Sequence, residues 1–343
     1  MSHGDNSMTG AGVLHGVFNQ LREDSPNKLC HSRRQRDRDW LANEKLLRSR
    51  EVCSAFIARL SSRQGKGTSL LPREVLLATN CMAIHFSAII DSAAEIDSTA
   101  TIGPYCVIDG PVRIGPRTTV GAFVQILGHT EIGCDCQIHA GAVVGDVPQD
   151  RTFSGGISFC HIGDGTILRE HVTVHRGSAP ESATVVGQRC LVMAGAHIGH
   201  NCQVHDEAIL VNGALLGGYV EVGRQAMVSG NVGVHQFVRI GELAMIGGLT
   251  MVTQDVPPYF MLDNRGLCVG INRIGLRRAG LTRAECEEAK SAYRVLCRMP
   301  GSLSQAIETL RAMVCESTGR TILEFLSATS KRGIHLLSPK NLP

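Results

Sequence analysis

The sequence predicts an all-β solenoid, a parallel β-helix of hexapeptide repeats, with a C-terminal α-helical tail. Three observations carry this. Counting in sixes from Ile84, an Ile, Leu or Val stands at every position to Val144, at Ile162, Leu168 and Val174, and at every position from Val186 to Val252. These 26 positions share one register. The fourth residue after each is usually small, as at Ala100, Cys106, Thr118, Cys136, Cys190, Ala196, Cys202 and Ala214. Neither a helical period of 3.6 nor a strand period of 2 produces this, whereas three short strands per 18-residue coil do. If each inward aliphatic contributes about 1.5–3 kcal/mol, the core is ample before chain entropy is subtracted.

Taken in order, residues 1–81 form a polar, basic, flexible extension with no sustained pattern before a possible helix at 40–60. They hold 13 Lys and Arg against 8 Asp and Glu. Met82 opens the repeat and reads either as the physiological start or as the end of a genuine extension. The repeat occupies 82–256. Residues 147–161 (VPQDRTFSGGISFCH) and 176–185 (RGSAPESATV) interrupt it, yet the aliphatics resume in phase, so both segments read as loops thrown out from intact coils. Loops on a rigid scaffold are where function concentrates. The pattern stops at DVPPY (255–259), whose two prolines cannot continue a ladder. Within 257–343, Thr282 followed by Arg-Ala-Glu reads as a capping box opening a helix over 282–298, with shorter helices at 302–316 and 319–330.

Composition narrows the function classes. The formal charge of +3 is too mild to argue for nucleic acid. No apolar run reaches the length of about 18 residues that a spanning helix needs, so no membrane insertion is expected. Thirteen cysteines in a chain of this size, with no basic-then-apolar leader and no CxxC pair, read as reduced thiols in a cytoplasmic protein. Four of them occupy the small inward position of the repeat, where cysteine serves as a compact hydrophobe.

Residues 18 apart stack on adjacent coils about 4.8 Å apart. This puts His200, Gly218 and Gln236 in one column, with His197 beside the first and His235 beside the last. A neutral imidazole can take a proton from a hydroxyl near pH 7, and a glycine lets a carbonyl approach a backbone N–H. The grouping suits acyl transfer. Metal binding by three spaced histidines, as in zinc enzymes of trimeric hexapeptide type, stays open on composition alone. His139 and His205 read as solvent-facing polar residues.

The strings PQD (148–150), LREHVTVHRG (168–177), AHIGHNC (196–202), VHQF (234–237), QDVPPY (254–259) and GINRIGLRRAGL (270–281) together resemble, in order, the acyl-carrier-protein-dependent UDP-N-acetylglucosamine O-acyltransferases that open lipid A synthesis. The resemblance spans about residues 83 to 300. It implies a homotrimer of left-handed β-helices with sites in the clefts between subunits and no metal or organic cofactor. By position, His200 matches the general base and Gly218 the oxyanion donor. His197 matches a neighbour of the base, Asp150 a loop aspartate on the sugar, and Gln149 its neighbour. His235 and Gln236 match groups on the sugar-nucleotide side, Asn272 and Arg278 groups on the nucleotide, and Gly248 the limit on acyl length. Asn201 is expected to orient groups around the base. Tyr219 lines the substrate pocket where the family has a histidine. Other departures are Thr152 for a loop lysine, Ile274 for a glutamate and Ala279 for an arginine, with Arg151 or Arg176 as substitutes for the lost cation. Acyl carrier protein is the expected donor and partner, its basic landing site formed by Arg273, Arg277, Arg278 and Arg283. The acceptor is UDP-N-acetylglucosamine or its 3-amino analogue. An N-acyltransferase of the same pathway, a non-catalytic scaffold and a zinc carbonic anhydrase-like trimer are the alternatives.

Overall fold

In the computed structural model the chain divides between Cys81 and Met82, and the structure describes residues 84–299 and 301–336. The possible helix at 40–60 and the start at Met82 lie outside the described residues.

From Ile89 to Val252, strands of two to four residues fall into three sheets in rotation, each hydrogen-bonded to the third before and the third after it where these exist within that span. A nine-stranded sheet runs from Ile89–Ile90 to Met251–Val252, an eight-stranded one from Glu95–Ile96 to Arg239–Ile240, and a ten-stranded one from Thr101–Ile102 to Cys268–Ile271. Pairing is parallel with partners 18 apart, as in His197 with Leu215 and Leu215 with Gly233. The hexad aliphatics point inward. Those from Ile102 to Val252 are buried, while Ile84, Ile90 and Ile96 of the first tier, stacked on one side only among the described residues, remain partly exposed.

The small position four residues on proves to be a buried corner from Ala100 onward, and where it is threonine or cysteine the hydroxyl or thiol meets a turn carbonyl. Thr118 Oγ1 donates to Gly133 O at 2.7 Å, and the thiols of Cys136 and Cys202 reach Gly163 O and Gly217 O at 3.2 and 3.1 Å. Burial pushes the Cys160 and Cys202 thiols up to about 12. Such thiols stay protonated and unreactive. The third residue after most aliphatics takes a left-handed conformation, even where it is Arg117, Asn201, Tyr219 or Phe237. The ladders on both sides of the turn hold it there.

The two interruptions keep phase. Across the first, His129 pairs with Phe159; across the second, Phe159 pairs with Ala183. Both loops are shorter than the sequence suggests, because Phe159–Ile162 and Ala183–Val186 are already strand. The prolines do not end the sheets either. Val256 bridges to Ile240, and Phe260–Leu262 adds to Met245–Ile246 in parallel before Cys268–Ile271 turns back antiparallel. Pro257 and Pro258 sit in the turn between those pairings, where no ladder N–H is required.

The helices are α1 (Arg273–Arg278), α2 (Arg283–Arg298), α3 (Leu303–Met313) and α4 (Ser317–Ser327). The expected capping box of α2 is present: Thr282 Oγ1 accepts from Glu285 N, and Glu285 accepts from Thr282 N. Helix α1 escaped the sequence reading because one and a half turns give no periodicity.

The tail is locked to the sheets by Asp255, fully buried, whose carboxylate takes Arg239 Nε at 2.8 Å and Arg239 N at 2.9 Å. Its backbone accepts from His335 N and donates to Gly333 O. Removing one partner of such a pair strands the other, so Asp255→Ala is expected to cost about 3–5 kcal/mol in denaturant unfolding. A loss below about 1 kcal/mol would show that the pair does not hold the tail.

Candidate active site

Along the nine-stranded sheet, just before the inward aliphatics, His197, Leu215, Gly233 and Met251 stand side by side on the outer face. The next turn carries His200, Gly218 and Gln236 in the predicted column. These residues, with Gln149, His175 and His235, line one cleft of about 460 Å³.

His200 is held from three sides. Its Nδ1 lies 3.0 Å from Asn201 Oδ1, an atom that only accepts, so Nδ1 is the ring nitrogen that donates in this pair. Nε2 is 4.0 Å from Asp150 Oδ2, the two side chains being 15% and 24% exposed. The Tyr219 ring meets His200 edge-on at 5.4 Å and itself stacks on Phe237 at 5.0 Å. Asp150 is held below the usual carboxylate range, first by the Thr152 N–H, then by the Thr152 hydroxyl, with His200 adding to it. Thr152 thus braces the aspartate it follows, with N and Oγ1 at 2.9 and 2.8 Å from Oδ1.

Gly218 owes its identity to the histidine ring. A Cβ there would lie 2.5 Å from both Cε1 and Nε2 of His200, closer than any real contact. Gly217 N donates to Val234 O and Tyr219 N to His200 O, whereas the Gly218 N–H enters no main-chain bond among the described residues.

His197 Nδ1 bonds Thr173 Oγ1 at 2.8 Å, and its ring packs edge-on against His175 at 5.1 Å. Burial, then the neighbouring His175 and His200, lowers His197 to about 4. Burial lowers His175 too. A folded-state value below the unfolded one means the unfolded chain binds protons first as pH falls. Stability conferred by neutral His197 is therefore present above about pH 6.5 and lost progressively toward pH 4. Between pH 7 and pH 5 this amounts to about 2 kcal/mol. Urea unfolding at both values should show that drop, reduced in His197→Gln; an equal drop in both proteins would remove the explanation.

His175, 6% exposed and with no partner on Nδ1, was missed by the sequence reading. The 18-residue rule fails for it because the second loop intervenes: Val174 aligns with Ile198, 24 residues on. The apolar wall of Leu215 and Met251 was legible, being 18 and 54 residues from His197, but the reading followed only the polar column.

Several expected residues stand elsewhere. Asn272 is the N-cap of α1: Oδ1 accepts from Gly275 N at 2.9 Å and Nδ2 donates to Leu243 O at 2.9 Å. Arg278 lies in the last turn of that helix. Gly248, whose added Cβ would touch Gly230 O at 3.3 Å, borders a different surface from the cleft. Arg176 lies over Phe153 at 5.8 Å, and Arg151 is exposed. His205 pairs with Glu221 at 3.1 Å and His139 with Glu170 at 3.4 Å, both on the surface as expected. Among the described residues no three His, Cys, Asp or Glu groups converge as metal ligands, and no helix is long and apolar enough to cross a membrane.

Comparison with known proteins fits this geometry. The model of the family described as "Udp N-acetylglucosamine O-acyltransferase; Domain 2" matches residues 255–335, and that of "Bacterial transferase hexapeptide (six repeats)" matches 183–218. An acyl-(acyl carrier protein):UDP-N-acetylglucosamine O-acyltransferase from Sulfurihydrogenibium sp. is 49% identical over 253 residues, 73% of this chain and 93% of the relative. One from Chlorobaculum tepidum is 54% identical over 230 residues, 66% and 87% of the two chains. Among solved structures, the UDP-N-acetylglucosamine acyltransferase of Francisella novicida superposes with a TM-score of 0.72 at 38% identity, covering 75% of this chain and 95% of that one.

Proposed function

Since the chain belongs to the acyl-(acyl carrier protein):UDP-N-acetylglucosamine O-acyltransferase family, we propose that it moves an acyl or 3-hydroxyacyl chain from acyl carrier protein to the sugar 3-hydroxyl of UDP-N-acetylglucosamine, the opening step of lipid A synthesis. The observation that carries the mechanism is a single one: His200 lines the cleft with its Nδ1 3.0 Å from Asn201 Oδ1, which leaves Nε2 as the ring nitrogen available to the acceptor. His200 Nε2 takes the proton of the sugar hydroxyl as that oxygen attacks the thioester carbonyl. The Gly218 N–H steadies the oxyanion, and the Asp150 carboxylate faces the imidazolium. Collapse expels the carrier thiolate, which recovers the proton from His200. No metal or organic cofactor takes part in this scheme.

Around that step, Gln149, Asp150, His197, Tyr219, His235 and Gln236 bind the acceptor, with His197 neutral and so suited to a hydroxyl or amide rather than a phosphate. Asn272 and Arg278 serve the nucleotide and Gly248 limits acyl length. All three stand apart from the cleft of their own chain, which supports a homotrimer of left-handed β-helices in which an adjacent copy completes each site. Arg273, Arg277, Arg278 and Arg283 provide the landing for the acidic carrier. The hexapeptide period ends near 256 although the ten-stranded sheet continues to Ile271, and the free thiols of the described cysteines suit a cytoplasmic location.

The test offers acyl carriers of several chain lengths, hydroxylated and not, with UDP-N-acetylglucosamine or its 3-amino analogue, and reads products by mass. An O-acylated product from UDP-N-acetylglucosamine is expected. Product from the amino sugar alone would move the acceptor to the analogue, and no transfer from any carrier would end the proposal.

A further inference from the structure

Asn201 raises a problem that a carboxylate would not. Its amide can present either Oδ1 or Nδ2 to His200, and the wrong face would place the ring proton on Nε2, the atom that must accept one. The loop residue Ser178 resolves the choice. Its backbone N–H lies 2.9 Å and its Oγ 3.0 Å from the same Asn201 Oδ1 that His200 Nδ1 reaches at 3.0 Å. A backbone N–H can only donate, so a flipped amide would set donor against donor at Ser178. Asn201 is only 9% exposed and its backbone N–H is fixed on Thr184 Oγ1 at 2.7 Å, so it has little freedom to turn aside. The hydroxyl also stands 3.5 Å from the Tyr219 hydroxyl, whose ring packs on His200.

We propose that Ser178 is a positioning residue for the acyl transfer, setting the tautomer of His200 by locking the Asn201 amide with its oxygen toward the ring. This rests on His200 being the general base.

The test is a double-mutant cycle on the full chain, assayed with acyl carrier thioester and UDP-N-acetylglucosamine. Ser178→Ala leaves the N–H but removes the second donor, and should lower kcat on the order of 10-fold while KM stays within about twofold, as expected for a misaligned reacting group. Ser178→Thr should restore it. In an Asn201→Asp background the two carboxylate oxygens are equivalent and nothing needs locking, so adding Ser178→Ala should change kcat by less than about twofold. An equal loss in both backgrounds, or none in the wild-type background, overturns the proposal. Spectra of 15N-histidine-labelled protein report the ring proton without turnover: Ser178→Ala should bring signal from the Nε2–H tautomer of His200, and an unchanged pattern counts against the lock. Undiminished turnover by His200→Ala would sink the base assignment instead, and the spectra would then still decide the tautomer.

Discussion

His200→Ala is expected to lower kcat/KM by roughly 10²–10⁴ while leaving the fold intact. The ring is the proton acceptor in the proposed step, and no neighbour can replace it. His197 has its Nδ1 on Thr173 and its ring packed against His175, Asp150 is held below the usual carboxylate range by Thr152, and Gly218 offers no side chain. Structure should not suffer in proportion. His200 lies in a turn, outside the inward aliphatics that make the core, so its removal opens space at a cleft rather than a buried cavity. Thermal unfolding should therefore move by only a few degrees. Turnover within tenfold of wild type would remove His200 as the base; a collapsed unfolding transition would mean the loss was structural.

Gly218→Ala should be nearly as damaging for a different reason. The methyl group would sit 2.5 Å from His200 Cε1 and Nε2, so the ring must swing away by about an ångström, a misplacement worth about 10²-fold in rate. The Gly218 N–H survives the change. Loss of the oxyanion donor and displacement of the base are thus separable: in a protein already lacking the His200 ring, Gly218→Ala should cost little more. A further large loss in that background would show that the methyl group obstructs substrate or the oxyanion instead.

Legibility in the sequence followed periodicity. The hexad aliphatics fixed every inward position and the 18-residue stacking of His200, Gly218 and Gln236, because a repeat turns spacing into geometry. The same arithmetic failed for His175, where an inserted loop changes the interval, and for Phe260–Leu262, which joins the ten-stranded sheet after two prolines. Asn272, assigned to the nucleotide by resemblance, also caps a helix through Gly275 and bonds Leu243, a structural role that a helix of six residues does not announce. The orientation of the Asn201 amide lay beyond any pattern. It depends on a loop from a neighbouring tier, and only coordinates bring Ser178 to it.

A stack of parallel strands has open ends, and each open end is a template on which another chain could continue the ladder. At the C-terminal end two of the three sheets are closed off: Cys268–Ile271 reverses direction against Phe260–Leu262, and Asp255 pairs with Ile334 beyond the last tier of the neighbouring sheet. Strand addition to those two sheets is thereby obstructed at that end. The cleft with His200 opens on a flank, away from those ends.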